Sequence, residues 1–272
     1  MDAGAPTPSE RGGDTLRGVP PPDAAPSRWT RRGAICGLLL ALSWTPMVIV
    51  LGALPELDSV SEVDRFVAAN GDSLKLVIAF VSFGFLFFLG YLGSLVERLH
   101  AADDSGPLAR IVFASALMFM TLFTAALGLD ATAVLLHESS TPELTYALHS
   151  AGFILHAPAG LVGAAFFIAL ALLAFEVSAL PRWLGWFAVA GVAANVGAIG
   201  GVFSSSGPLN SGNGVLGGVA LPLFFWVLWI CLDSVATLRG LRPHGLVRIH
   251  PEPSRSRGDL GERFSTFRPP PT

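Results

Sequence analysis

The sequence predicts an all-α fold, a polytopic transmembrane helix bundle of six spans with its N- and C-termini on the cytoplasmic side. Three observations predict it. Of 272 residues, 52% are hydrophobic and only 14% charged, with a mean hydropathy of +0.60, whereas soluble chains carry about a quarter charged residues. Six apolar stretches reach spanning length, and the basic residues gather on alternate connections.

Residues 1–32 are rich in Pro, Gly, Asp and Arg without apolar periodicity, which predicts a disordered cytoplasmic tail. This charged leader is too long for a secretory signal, and the apolar run behind it has full spanning length without an A-x-A site. A helix crossing ~30 Å of hydrocarbon needs about 20 apolar residues, because each adds ~1.5 Å. Stretches at 33–54, 76–96, 111–129, 151–175, 183–203 and 215–235 qualify, the last with an uncharged core ending at Leu232. In lipid the backbone must satisfy its own hydrogen bonds, so runs of this kind must be helices. Together they predict a transmembrane domain over 33–238.

Orientation follows from the arginines. Arg28, Arg31 and Arg32 flank the first span, Arg98, Arg110 and Arg182 lie on the second and fourth connections, and Arg239, Arg242 and Arg248 follow the last span. The opposite connections offer only Arg65 and Lys75 among acids such as Glu56, Asp58, Glu62, Asp64, Asp72, Glu138 and Glu143. Nine against two places both termini inside, and an even number of spans requires them to share a side. Trp29, Trp183 and Trp186 stand at inner boundaries, where indoles favour headgroups. The expected location is the cytoplasmic (inner) cell membrane, multi-pass, with the lipid bilayer as the partner.

The first outer connection carries its own signals. Ser59-Val-Ser-Glu62 fits a capping box, and Val60, Val63, Phe66 and Val67 recur at helical spacing. Asn70-Gly71 reads as a stop and Asp72 as the cap of the second span. Residues 59–70 are therefore expected as a short amphipathic helix on the outer surface or over the bundle. Residues 204–214, nearly all small or polar, read as a flexible loop, and 239–272 as a disordered basic tail that grazes an anionic leaflet.

Composition also excludes functions. No basic cluster interleaved with aromatics indicates nucleic-acid binding. Cys36 and Cys231 fall in apolar segments near the reducing face, so buried free thiols are expected rather than a disulfide. Neither G-x-S-x-G nor H-E-x-x-H occurs, so no catalytic residue is assigned, and no cofactor is implied.

One polar constellation stands out. Asp130 ends the third span, His137 follows, and His149 and His156 lie on the fourth. Intramembrane ionisable groups are costly and therefore candidates for function. Asp130, His149 and His156 could form a mixed N/O metal set or a proton-responsive site. Seven residues separate the two histidines, roughly 10 Å along a helix and too far for one shared ion. The competing expectation is structural: His156 donating to a carbonyl freed by Pro158 or to a neighbouring helix. Asp233, near the inner end of the sixth span, is expected to pair with an inner-loop Arg. Ala193, Gly197 and Gly201 form a small-residue stripe beside Ala190, Ala194 and Ala198, and Gly152, Gly160 and Ala164 form another on the fourth span. Such stripes suit packing within a bundle, with a homo-oligomer as the alternative.

Leu180-Pro-Arg-Trp-Leu-Gly-Trp186 opens the fifth span, Arg28-Trp29-x-Arg31 precedes the first, Pro55 and Asp58 begin the outer loop, and Phe225–Trp229 lies in the last span. In these features the chain resembles a group of six-helix bacterial integral membrane proteins, a domain of unknown function, from about Arg28 to Arg239. The resemblance implies the six-span topology and carries no activity or site residues. The sequence thus predicts a non-enzymatic membrane or regulatory component. A small oligomeric permease or exporter, and an outer-leaflet metal-dependent or lipid-modifying enzyme, are the alternatives.

Overall fold

The structure is a computed structural model that describes residues 28–51, 54–102 and 106–240; the expectations placed on residues 1–27 and 241–272 lie outside the described residues. All regular structure among the described residues is helical. The six principal helices are α1 (Arg28–Leu51), α2 (Val60–Ala102), α3 (Pro107–Leu136), α4 (Pro142–Phe175), α5 (Arg182–Gly197) and α6 (Ala220–Gly240). Short 3-10 turns follow at His137–Ser139, Ala198–Val202 and Gly207–Leu209. With its 3-10 continuation to Val202, α5 joins the other five in being long and apolar enough to cross a membrane.

Each helix packs against its neighbour in sequence, and α6 returns against α1, closing a ring that α2 and α4 also bridge. Contacts across the ring define two ends. At the tail end, the start of α1 meets the last turns of α2 and α6. At the loop end lie the connections 54–59, 137–141 and 203–219.

Local chemistry starts and stops these helices. Pro142 stands at the first turn of α4, where a missing N–H costs nothing, and the Thr141 hydroxyl accepts from the Leu144 amide at 3.4 Å. At its other end the Ala179 amide returns to the Leu173 carbonyl at 2.9 Å, with Ser178 between them in the left-handed region at φ 57°.

Aromatic rings fill the core. Trp226 of α6 is stacked between Phe119 of α3 and Phe166 of α4, each at 4.3 Å between centroids. Phe119 stacks on Phe123 at 5.8 Å, and Phe123 meets Trp44 of α1 at 5.1 Å. An indole buried among rings still needs a partner for its N–H. Trp44 donates to the Val81 carbonyl at 3.2 Å, Trp229 to the Leu184 carbonyl at 3.3 Å, and Trp226 to Asn195 Oδ1 at 3.4 Å. Each bond joins two helices. Gly84 and Gly163 leave the space these groups occupy, since a Cβ at either would collide with Trp44 or with the Asn195 amide.

The small-residue stripes are used inside the chain. Ala194 and Ala198 are buried, and a Cβ at Gly160 would lie 2.9 Å from that of Ala198. Gly197 and Gly201 lie against the carbonyls of Leu216 and Gly217. Little of the fifth-span stripe except Ala193 is left exposed.

Four expectations need correction. Residues 28–32, expected within a disordered tail, form the first turn of α1, since nothing in Arg-Trp-Thr-Arg-Arg breaks a helix. The separate helix at 59–70 does not exist as such, because α2 runs unbroken for 43 residues from Val60. Ser59 does accept from the Glu62 amide at 3.3 Å. Asn70, however, donates to the Phe66 carbonyl of its own helix at 2.9 Å, and Asp72 pairs along the helix with Lys75 at 3.1 Å. Val63 and Val67 are buried in the bundle, and this packing overrides the Asn-Gly stop signal. The sixth helix begins at Ala220, not 215. The connection before it is folded rather than loose: Asn210, fully buried, donates to the Ser205 carbonyl and accepts from the Gly212 amide, both at 2.5 Å. The Leu216 and Gly217 amides close on the Pro208 carbonyl at 2.9 and 3.1 Å, and the Gly207 amide reaches Glu56 in the first connection at 3.4 Å.

Asn210→Ala should therefore lower the unfolding free energy by about 1–3 kcal/mol, the cost of leaving buried partners unpaired. The exposed Asn213→Ala should change it little. Unfolding in detergent measures both, and equal effects would contradict an ordered loop.

Candidate functional site

Two polar clusters lie at opposite ends of the ring. At the tail end, Asp233 of α6 is almost fully buried and held by three hydrogen bonds from two side chains. Arg98 of α2 spans the carboxylate, with one terminal nitrogen 2.6 Å from Oδ2 and the other 3.3 Å from Oδ1. The Tyr91 hydroxyl donates to Oδ2 at 2.9 Å, and Arg98 also donates to the Thr237 hydroxyl at 2.9 Å. Heptad-like spacing builds the arrangement: Tyr91 and Arg98 are two turns apart on one face of α2, and Asp233 and Thr237 one turn apart on α6. The expected inner-loop arginine is thus a helix residue. The signal available in the sequence was the Tyr91–Arg98 spacing.

At the loop end the helices bring together part of the predicted site. Asp130 lies within α3, which continues past it to Leu136, and His149 lies within α4. Their Oδ1 and Nδ1 atoms are 3.0 Å apart, with His149 only 3% and Asp130 13% exposed. The two atoms are not aligned as a hydrogen bond, and His149 Nε2 is buried without a partner. Gly152 makes the approach of α3 and α4 fit, since a Cβ there would lie 3.0 Å from both the Asp130 carboxylate and the Ala126 carbonyl. Phe153 flanks the imidazole at 4.7 Å and Phe66 at 6.3 Å.

His156 is not brought into this pair. Its Nδ1 faces the Gly152 carbonyl of its own helix at 2.9 Å rather than the Ile154 carbonyl that Pro158 frees. It packs edge-on against Phe123 at 5.3 Å and borders a void of about 10 Å³ beside Gly160 and Pro222. His137 lies 3.4 Å from Asp64, on the first turns of α2, a pairing the sequence did not suggest.

Among the described residues, no group of three or more His, Cys, Asp or Glu side chains converges as a metal site. The arrangement at Asp130 and His149 offers acceptors, a carboxylate and an imidazole nitrogen, at the edge of a cavity of about 40 Å³. That geometry can receive a donor or a proton. No family model, curated protein or solved structure matches this chain.

Arg98→Ala leaves Asp233 buried with its arginine gone, and should cost roughly 3–5 kcal/mol. Combined with Asp233→Ala, the loss should fall short of the sum by about 0.5–3 kcal/mol, the coupling expected for contacting groups. Strictly additive losses in a double-mutant cycle would show that the two residues do not act as a unit.

Proposed function

We propose that this chain is a multi-pass protein of the cytoplasmic membrane, with six spans and both termini inside, acting as a non-enzymatic membrane component. The observation that carries the reading is the outward face of the ring. Every helix turns large apolar side chains away from the core: Leu42 and Ile49 on α1, Phe83 and Leu86 on α2, Met118 on α3, Ile168 on α4, Val196 on α5 and Phe224 on α6. Leu42, Ile49 and Leu86 are each about 70% exposed, at 70%, 71% and 67%. Continuous apolar surface of this extent requires an apolar solvent.

Charge supports the orientation. Arg28, Arg31, Arg32, Arg98, Arg110, Arg182 and Arg239 all fall toward the tail end, while Arg65 and Lys75 belong to the half of α2 near the loop end. The positive-inside rule then assigns the tail end to the cytoplasm. Trp29, Trp183 and Trp186, all exposed, form a partial indole belt at the same end. The likeness of the Leu180–Trp186 junction to that of six-helix bacterial membrane proteins supports the same arrangement.

Helix length adds a feature the sequence reading lacked. At ~1.5 Å per residue, the 43 residues of α2 extend roughly 65 Å, about twice the hydrocarbon thickness. The 30 residues of α3 and 34 of α4 are also longer than one crossing requires. On this reading the first turns of α2 and α4 and the last of α3 form a helical cap standing on the outer side. Asp64–His137 and Asp130–His149 tie that cap together.

Single cysteines introduced at Ser140 and Ser206, in a chain with Cys36 and Cys231 replaced, should react with a membrane-impermeant maleimide in intact cells. Ser105→Cys should react only after permeabilisation. Labelling of position 105 in intact cells, or protection of both 140 and 206, would reverse the topology.

A further inference from the structure

The loop-end cavity lies between α1, α2, α3 and α4, and its lining is apolar except at one end. Met47, Leu54, Leu127 and Phe153 form the walls, and Val77 and Ile78 of α2, partly exposed, form its rim. The polar end is Asp130 with His149. Two of its acceptor atoms, Asp130 Oδ1 and His149 Nε2, are buried with no hydrogen-bond donor, and His149 is 97% buried on the 3% exposure above. A neutral imidazole has a single N–H, so one nitrogen of His149 must remain an acceptor whichever tautomer forms. No Lys or Arg lines the cavity, and two acids near it are already paired, Asp64 with His137 and Asp72 with Lys75. Buried acceptors without donors are rare in folded proteins, and here they cluster beside an apolar cavity.

Three properties define what such a place accepts. No Lys or Arg lines it, its acceptors outnumber the single N–H of a neutral His149, and it is narrow. A bare metal ion is poorly served, since tetrahedral or octahedral coordination needs four or more ligands and the described residues supply a pair. A ring does not fit either: about 40 Å³ is well under the ~150 Å³ that holds benzene. A primary ammonium on a straight alkyl chain satisfies all three conditions. Its N–H groups supply the missing donors, its charge offsets the carboxylate, and about 40 Å³ holds the head and its first methylenes, with the rest of the chain beyond the rim.

We propose that the Asp130–His149 pair and the cavity beside it form a binding site for the head of a single-chain aliphatic primary amine. The ammonium donates to Asp130 and His149, and the chain leaves past Val77 and Ile78 between α1 and α2. Gly152 is part of the site, because it lets α4 approach the Asp130 carboxylate closely. The proposal rests on the interior of the bundle and not on the orientation of its ends, so failure of one leaves the other standing.

The test is calorimetric titration of the full-length protein in lipid nanodiscs, with protein-free nanodiscs as the reference. The probes are n-octylammonium, n-octyltrimethylammonium, which has the charge but no N–H, and n-octanol, which has no charge. Saturable binding of n-octylammonium at least tenfold tighter than either of the others supports the site. Asp130→Asn should weaken it tenfold or more, and Val77→Trp, which blocks the rim without touching the pair, should abolish it. Equal binding of the three probes overturns the proposal, as does wild-type affinity in both variants. If Asp130→Asn fails to fold, Val77→Trp decides alone: retained binding overturns the site and lost binding supports it.

Discussion

The backbone's need to satisfy its own hydrogen bonds governs this molecule. Six long apolar segments carry an N–H and a C=O on nearly every residue and offer almost no side-chain partners for them. Only the helix pairs those groups within one segment, and the structure adopts it throughout. With the backbone closed on itself, side-chain shape and a few polar contacts decide how helices associate. Glycine and alanine then mark close approaches, at Gly84, Gly163 and the Gly160–Ala198 contact, and the aromatic stack on Trp226 fills what they leave. The few polar atoms inside must find partners across helices, and the three buried indoles do so.

The two ends of the ring treat buried acids differently. Asp233 receives three donated hydrogen bonds, from Tyr91 and both terminal nitrogens of Arg98, so its charge is neutralised and its oxygens occupied. That cluster locks the last turns of α2 and α6, and the carboxylate has all the donors it needs, although Arg98 Nε stays unpartnered. Asp130 has an imidazole at ion-pair distance but no aligned donor, beside space for more. A group left short of donors in a closed interior costs stability. Its presence at the border of the helical cap distinguishes this end as the chemically open one.

Much of this was legible in the sequence because length and hydropathy act locally. Six uncharged runs gave six helices, and the expected ends at Phe175 and near Arg182 agree closely with the structure. What failed depended on tertiary contact. Asn70-Gly71 is a stop signal in isolation, yet burial of Val63 and Val67 carries α2 straight through it. Residues 204–214 look featureless, since no composition rule shows that one buried Asn210 amide will organise them. Asp130 and His149 were named from their types and their nearness to span ends. Their contact, and the exclusion of His156 from it, required the α3–α4 approach that Gly152 permits. Arg98 was counted as a loop charge because the apolar run ends before it, although the helix does not.

The central claim is that lipid, not water, surrounds the ring. Nitroxide labels placed singly at Leu42, Leu86, Met118 and Phe224 in bilayer-reconstituted protein test it most directly, with Ser61 as the water-exposed reference. The account predicts frequent collisions with oxygen and few with a water-soluble nickel chelate at the four apolar positions, and the reverse at Ser61. Nickel collisions at Leu42, Leu86, Met118 and Phe224 as frequent as at Ser61 would contradict it.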